Sequence, residues 1–210
     1  RAHAVAKLRH YHDHPGFVEP LADGVREALA RLAPVRPERT RVVFTAHSVP
    51  VGMARSAGPA GGLYETQLRQ TAELVAAAAA PDLPWDLVWQ SRSGPPHVPW
   101  LEPDVNDHLQ ALAEAGTEAV VVSPIGFVSD HLEVVWDLDT EAAGTAKRVG
   151  LRFARAATPG TDPRFVAMVR ELVLERLDPG APRRRLGTLP TWDTCASHCC
   201  VTKAGPRGRA

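Results

Sequence analysis

The sequence predicts an α/β fold: a three-layer parallel sheet with helices on both faces. Three observations lead there. Short β-branched runs alternate with helix-periodic stretches four times along the chain. Each strand-like run is closed by turn residues, and most helical stretches end at Pro or Gly. The 210 residues are 44% hydrophobic and 23% charged, a balance that suits a globular domain with a sizeable core.

The elements follow in order. Phe17, Val18, Leu21, Val25, Leu29 and Leu32 recur at helical spacing, so a helix is expected over 15–32, entered at Asp13 or His14 and ended by Pro34 and Pro37. Residues 41–46 (Arg-Val-Val-Phe-Thr-Ala) read as a buried strand leading into His47-Ser48-Val49-Pro50. The Gly/Ala/Pro-rich stretch 52–62 reads as a loop, and 63–80 as a helix stopped by Pro81. A second strand is expected over 85–90, followed by a long Pro-containing loop over 91–103. Asp104 is placed to cap a helix reaching about Ala115. Residues 119–124 form the most strand-like run, and the segment after them turns into a helix capped by Ser129 or Asp130. A weaker strand over 150–154 and a helix over 163–177 complete the domain. From Asp178 Pro, Gly and Arg dominate, so 178–210 is expected to be a tail, with Arg183, Arg184 and Arg185 a solvated linker.

Charge and composition narrow the function. With 24 Lys+Arg against 24 Asp+Glu the formal charge is zero, which argues against a nucleic-acid partner held through phosphates. No apolar run approaches the roughly 18–20 residues needed to span a bilayer. The start, Arg1-Ala2-His3, lacks an initiator Met and a signal-peptide layout, so a fragment of a longer cytoplasmic protein is expected. Cys195, Cys199 and Cys200 lie in one window and no other Cys occurs, which fits a reducing compartment better than a disulfide framework. His10, His12 and His14 alternate and read as a solvated approach to the first helix.

In open parallel sheets ligands bind beyond the carboxyl ends of the strands. His47, Gln90 to Arg92 and the segment from Pro124 to Glu133 all fall there. His47 reads either as a strand-end histidine bonded to a carbonyl or as a proton acceptor and metal ligand. Glu133, Asp137 and Glu141 stand at i, i+4 and i+8, one acidic stripe on a helix. Such a stripe is either a solvated face or a path for a hydrated divalent cation, and no Lys or Arg between Asp130 and Glu141 offsets its charge. One imidazole and one carboxylate make a poor closed zinc site but suit transient metal handling. A P-loop and a hydrolase elbow are both missing their motifs.

Thr45-Ala-His-Ser-Val-Pro50, Pro124-Ile-Gly-Phe-Val-Ser-Asp-His-Leu-Glu133 and the acids Asp137, Asp139 and Glu141 together resemble the ferrochelatase family. Gln90-Ser-Arg92, Pro99-Trp-Leu-Glu-Pro103 and His14-Pro-Gly-Phe17 look like its supporting segments, and the likeness covers about residues 8–177. The resemblance implies two similar α/β lobes around a porphyrin cleft. Residues 1–177 would be the C-terminal chelatase-like lobe, with the N-terminal lobe absent from this chain. It implies insertion of Fe(II), as substrate, into a porphyrin. His47 and Glu133 would be the metal ligands and catalytic pair on opposite sides of the macrocycle, and Asp137 and Glu141 would continue a metal or proton path. Trp100 and Phe127 are read either as porphyrin contacts or as core. Residues 91–100 resemble the actinobacterial branch, which implies coproporphyrin III as substrate and Fe-coproporphyrin III (coprohaem) as product, with protoporphyrin IX as the alternative. Members of that branch resemble this chain in a Cys-rich tail holding a [2Fe-2S] cluster. Cys195, Cys199 and Cys200 would be its ligands here, with the fourth left to His198 or to a cysteine elsewhere. Two other readings are a chelatase for cobalt or nickel and a non-catalytic metal- or haem-binding redox module.

Overall fold

The computed structural model describes residues 6–194 and 199, built around four parallel strands in the order β2-β1-β3-β4. These are β1 Thr40–His47, β2 Trp85–Gln90, β3 Ala119–Ser123 and β4 Arg152–Arg155. The helices are α1 Pro15–Leu32, α2 Val51–Ser56, α3 Leu63–Ala79, α4 Val105–Glu114, α5 Leu132–Val134, α6 Ala143–Val149 and α7 Pro163–Leu177. Between α5 and α6 the chain stays helical but adopts π geometry over Val135–Ala142, so 132–149 is one continuous helix with a widened middle.

The strand sequences explain the layering. Val42 and Phe44 of β1 with Ala119 and Val121 of β3 face α1, α3 and α7, where Leu21, Val25, Val75 and Met168 close the first core. The alternate residues Val43, Val120 and Val122 face the other side and meet Leu109 of α4, Leu138 of the π segment and Ala146 of α6. Both faces of the sheet are therefore covered, which is why these strands read as unbroken apolar runs. Gly16 lets α1 and α7 approach closely, since a Cβ there would lie 2.8 Å from the Cβ of Met168.

The connections place a crevice. The chain leaves β1, runs through α3 on the first face to the edge strand β2, and returns through α4 on the opposite face to β3 on the other side of β1. Strand order thus reverses between β1 and β3, and a crevice opens beyond their carboxyl ends.

Several expectations are corrected. The stretch expected to be a loop over 52–62 contains α2, whose first turn closes by bonds from the Met53 and Ala54 N–H groups to the Pro50 carbonyl. The helix expected to be capped by Ser129 or Asp130 starts at Leu132 with His131 at its N-cap, because the Asp130 carboxylate is taken by Arg155. β4 begins at Arg152, since Gly150 ends α6 in the left-handed conformation (φ 78°). The histidine trio is not a solvated approach: His12 and His14 are buried, and His14 Nδ1 caps α1 by accepting the Gly16 N–H at 3.0 Å. The arginine run is exposed, as expected of a solvated stretch, yet each of its side chains has an acidic partner. Arg184 pairs with Glu171 and Arg185 with Asp13, Arg183 lies 2.9 Å from Asp193, and the Leu186 N–H donates to the Asp13 carbonyl at 2.8 Å. Three adjacent cations look unpaired in sequence because their acids lie well away along the chain. Among the described residues no helix is long and apolar enough to cross a membrane.

Candidate active site

The crevice is built around His47, the last residue of β1. Its carbonyl accepts a bond from the Tyr64 hydroxyl at 2.7 Å, and Tyr64 stacks on Trp89 of β2 at 5.9 Å. Burial pushes the Tyr64 phenol up to about 12, so it remains a donor across the physiological range. The next residue is held as firmly: the Ser48 N–H donates to the Gln90 carbonyl at 2.7 Å and its hydroxyl to the Leu101 carbonyl at 2.8 Å. The long 91–103 loop therefore straps the chain just after His47. On the imidazole itself, Nδ1 donates to the Ser48 carbonyl, which leaves Nε2 facing the crevice.

Glu133 arrives from the other side of the switch point. After β3 the chain folds back over the end of β1, with the Gly126 N–H bonded to the Thr45 carbonyl at 3.1 Å. Only glycine fits there, because a Cβ would lie 2.6 Å from the Cβ of Ala46. The helix that follows carries Glu133 in its first turn, and its Oε1 stands 3.5 Å from His47 Nε2, so the pair expected on opposite sides of a macrocycle lies side by side here, too close for a ring to pass between them. Both side chains keep access to solvent, 34% exposed for His47 and 44% for Glu133.

Asp137 lies one step further on, in the π segment, a geometry that recurs at functional sites. Its carboxylate accepts the Gln90 amide at 3.3 Å and the Ser91 hydroxyl. That carboxylate can only accept, so it orients the Gln90 amide with Nε2 toward Asp137, leaving Oε1 to accept the Thr45 hydroxyl at 2.7 Å. Ser91 sits in the left-handed region (φ 64°), the one non-glycine residue at positive φ among those described. Such strain persists where the surroundings over-determine it, here at the rim of the crevice. Glu141 completes the row at a cavity of 160 Å³ that Gln90, Ser91, Asn106 and Asp137 also line. The acids from Asp130 to Glu141 thus divide: Glu133 faces His47 and Asp137 and Glu141 line the small cavity, while Asp130 and Asp139 pair with Arg155.

Of the two residues read either as ring contacts or as core, Phe127 lies in the core and Trp100 is half-buried outside it. Phe127 is 8% exposed and packs in the second core, with its edge toward His131. Trp100 pairs with Pro50 through a β-bridge, and its indole presses on Gly94. The exposed apolar side chains beside the site are instead Met53 of α2 and, around Glu133, Leu132 and Trp136. Sequence periodicity did not single these out, because an isolated exposed apolar residue carries no pattern of its own.

The sequence model of the family described as Ferrochelatase matches residues 1–177. This chain belongs to the ferrochelatase family. It is 55% identical over 211 residues to the coproporphyrin III ferrochelatase of Nocardia farcinica, covering 96% of this chain and 59% of that protein. The corresponding protein of Frankia alni is 54% identical over 206 residues (94% and 52%), and that of Streptomyces coelicolor 48% over 222 residues (98% and 58%). The chain spans little more than half the length of these relatives.

Among the described residues no three His, Cys, Asp or Glu side chains converge to cage a metal. One histidine and one carboxylate, both open to solvent, can bind a divalent cation and release it. A resident [2Fe-2S] cluster fits this chain less well. It needs four ligands, normally thiolates, and the sequence has three cysteines. Cys195 and Cys200 lie outside the described residues, and Cys199 is half-buried.

Proposed function

We propose that this chain supplies the metallating half of a ferrochelatase that inserts Fe(II) into coproporphyrin III to give Fe-coproporphyrin III. The single observation behind the reading is the meeting of His47 Nε2 and Glu133 Oε1 at 3.5 Å beyond the carboxyl ends of β1 and β3. The names of the relatives support the choice of substrate.

The chemistry suits that pair. A planar porphyrin resists metallation because two pyrrole N–H groups block its centre, and both protons must leave as iron enters. The lone pair on His47 Nε2 accepts a pyrrole proton while the ring is held distorted, with binding energy from the rest of the macrocycle offsetting the distortion. The imidazolium so formed lies beside Glu133, which can take the proton on toward solvent or hold the incoming cation. Asp137 and Glu141 extend this route along one helix. Leu132, Trp136 and Met53 offer exposed apolar surface suited to a flat hydrophobic ring. A [2Fe-2S] cluster on the cysteine tail would require a ligand beyond Cys195, Cys199 and Cys200, and no step here depends on one.

The test is anaerobic incubation of the natural full-length protein with Fe(II) and either coproporphyrin III or protoporphyrin IX, following loss of free-porphyrin fluorescence. Faster metallation of coproporphyrin, abolished by Glu133→Gln, is the expected result. Preference for protoporphyrin would keep the reaction and overturn the substrate. Binding of porphyrin or iron without metallation would favour a non-catalytic module instead.

A further inference from the structure

The segment that carries Glu133 has little apolar anchorage. Residues 128–133 are all exposed, Leu132 by 82%, and the buried side chains nearest them are Phe127 and Val134. A polar anchor reaches this segment from the far edge of the sheet. Arg155, the last residue of β4, donates Nη1 and Nη2 to the two oxygens of Asp130 at 3.0 Å each. The same guanidinium donates Nε and Nη2 to Asp139 at 2.6 and 3.0 Å. The Thr158 hydroxyl also donates to Asp130 at 3.0 Å, and the Gly160 N–H to the Val128 carbonyl at 2.8 Å.

The two acids bracket Glu133, one in the loop before α5 and one in the π segment after it. A guanidinium can grip both in its planar fork, whereas an ammonium is a single point charge. Arg155 is 16% exposed, so solvent screens these pairs only partly. Meanwhile Asp137, two residues from Asp139, is held by Gln90 and Ser91 at the end of β2. In the order β2-β1-β3-β4, β2 and β4 are the two edges. The helix bearing Glu133 is therefore pinned from both edges of the sheet at once.

We propose that Arg155 is a positioning residue for metallation, fixing the backbone on both sides of Glu133 so that its carboxylate meets His47 across the crevice. This rests on the ferrochelatase reading of the site. Arg155 orders the segment without being a ligand of iron or porphyrin, so its loss falls on the chemical step rather than on porphyrin binding.

The test uses Arg155→Met, Arg155→Lys and Asp130→Asn in the natural full-length protein, with steady-state metallation and amide hydrogen exchange read together. Arg155→Met is expected to lower kcat by about ten- to a hundredfold while KM for porphyrin stays within about twofold. Exchange in 128–134 should quicken, with β1 and β3 as protected as before. Arg155→Lys should recover part of kcat, and Asp130→Asn should lower kcat alone yet add little on top of Arg155→Met. If Arg155→Met does not fold, the other two variants carry the test. An active wild type whose kcat survives these changes overturns the proposal, as does a rise in KM with kcat unchanged or loss of protection throughout the sheet. A wild type that metallates no porphyrin overturns the underlying reading instead, a result visible before any variant is compared.

Discussion

Two polar clusters of this molecule use the same side chains to different ends. At the entry to α1, Arg9 pairs with Glu175 at 2.6 Å with both side chains 2% exposed. The Asp13 carboxylate beside them lies 3.6 Å from Arg9 and 3.4 Å from Arg185, and His14 Nε2 lies 3.2 Å from Glu171. In the crevice, His47 and Glu133 face one another half-open to water, with no guanidinium paired to either among the described residues. The first cluster is closed at its centre: Arg9 and Glu175 are matched and desolvated together, while the more exposed Arg184 and Arg185 tie the strap over 183–186 to Glu171 and Asp13. The second keeps a lone pair and a carboxylate available to a ligand. A histidine near acids is thus a fastener or a site according to whether the fold has already supplied its counter-charge.

The largest effect expected from breaking this contrast is at the crevice. His47→Ala should lower porphyrin metallation by about 10²–10⁴-fold, the usual worth of a general base. Its thermal midpoint should barely move, because a half-exposed side chain is removed. Anaerobic fluorescence assays paired with thermal unfolding check both halves of this statement.

The opposite pattern is expected at the clasp. Arg9→Ala strips Glu175 of its buried, hydrogen-bonded partner and leaves it only Arg183 at 3.9 Å, a change expected to cost up to about 3–5 kcal/mol. Denaturant unfolding should show the midpoint falling, while any activity that survives folding keeps its KM for porphyrin.

The smallest effect is a dependence on pH. Burial holds the His14 imidazole below the usual histidine range, with the nearby Glu171 working against that shift and Arg9 and Arg184 reinforcing it. His12 is shifted the same way by burial. A neutral buried histidine takes up its proton more readily once unfolded, so stability is full above about pH 6.5 and falls as the pH drops below it toward the lowered folded value. His14→Asn, which retains an acceptor for the Gly16 N–H, should flatten that decline. Urea midpoints from pH 7.5 to 5 would measure it, and an unchanged slope would mean that His14 binds its proton equally well in the folded and unfolded chain.

The α/β class, the order of elements and the strand ends at which to look were legible in the residues. β1 and β3 are apolar because both faces of the sheet are covered, and that burial leaves a direct trace in sequence. His47 and Glu133 were legible as a pair because the topology puts the ends of β1 and β3 side by side. α2 was not legible, since six residues in a Gly/Ala/Pro-rich stretch show no helical period. The π segment was hidden too: its buried residues Leu138 and Ala142 keep a spacing that an α-helix would also satisfy.

What the sequence determined by itself, then, was everything carried by local pattern: the parallel α/β lobe, its carboxyl-end crevice and the residue types gathered there. The tertiary structure alone decided which charges are spoken for. The acids from Asp130 to Glu141 have no basic neighbour in the chain, yet Arg155 takes Asp130 and Asp139 and leaves Glu133 to face His47. The three tail arginines likewise find acids on α7, before α1 and further along the tail. Electrostatic pairing acts through space over a few ångströms, so sequence distance neither reveals nor forbids it.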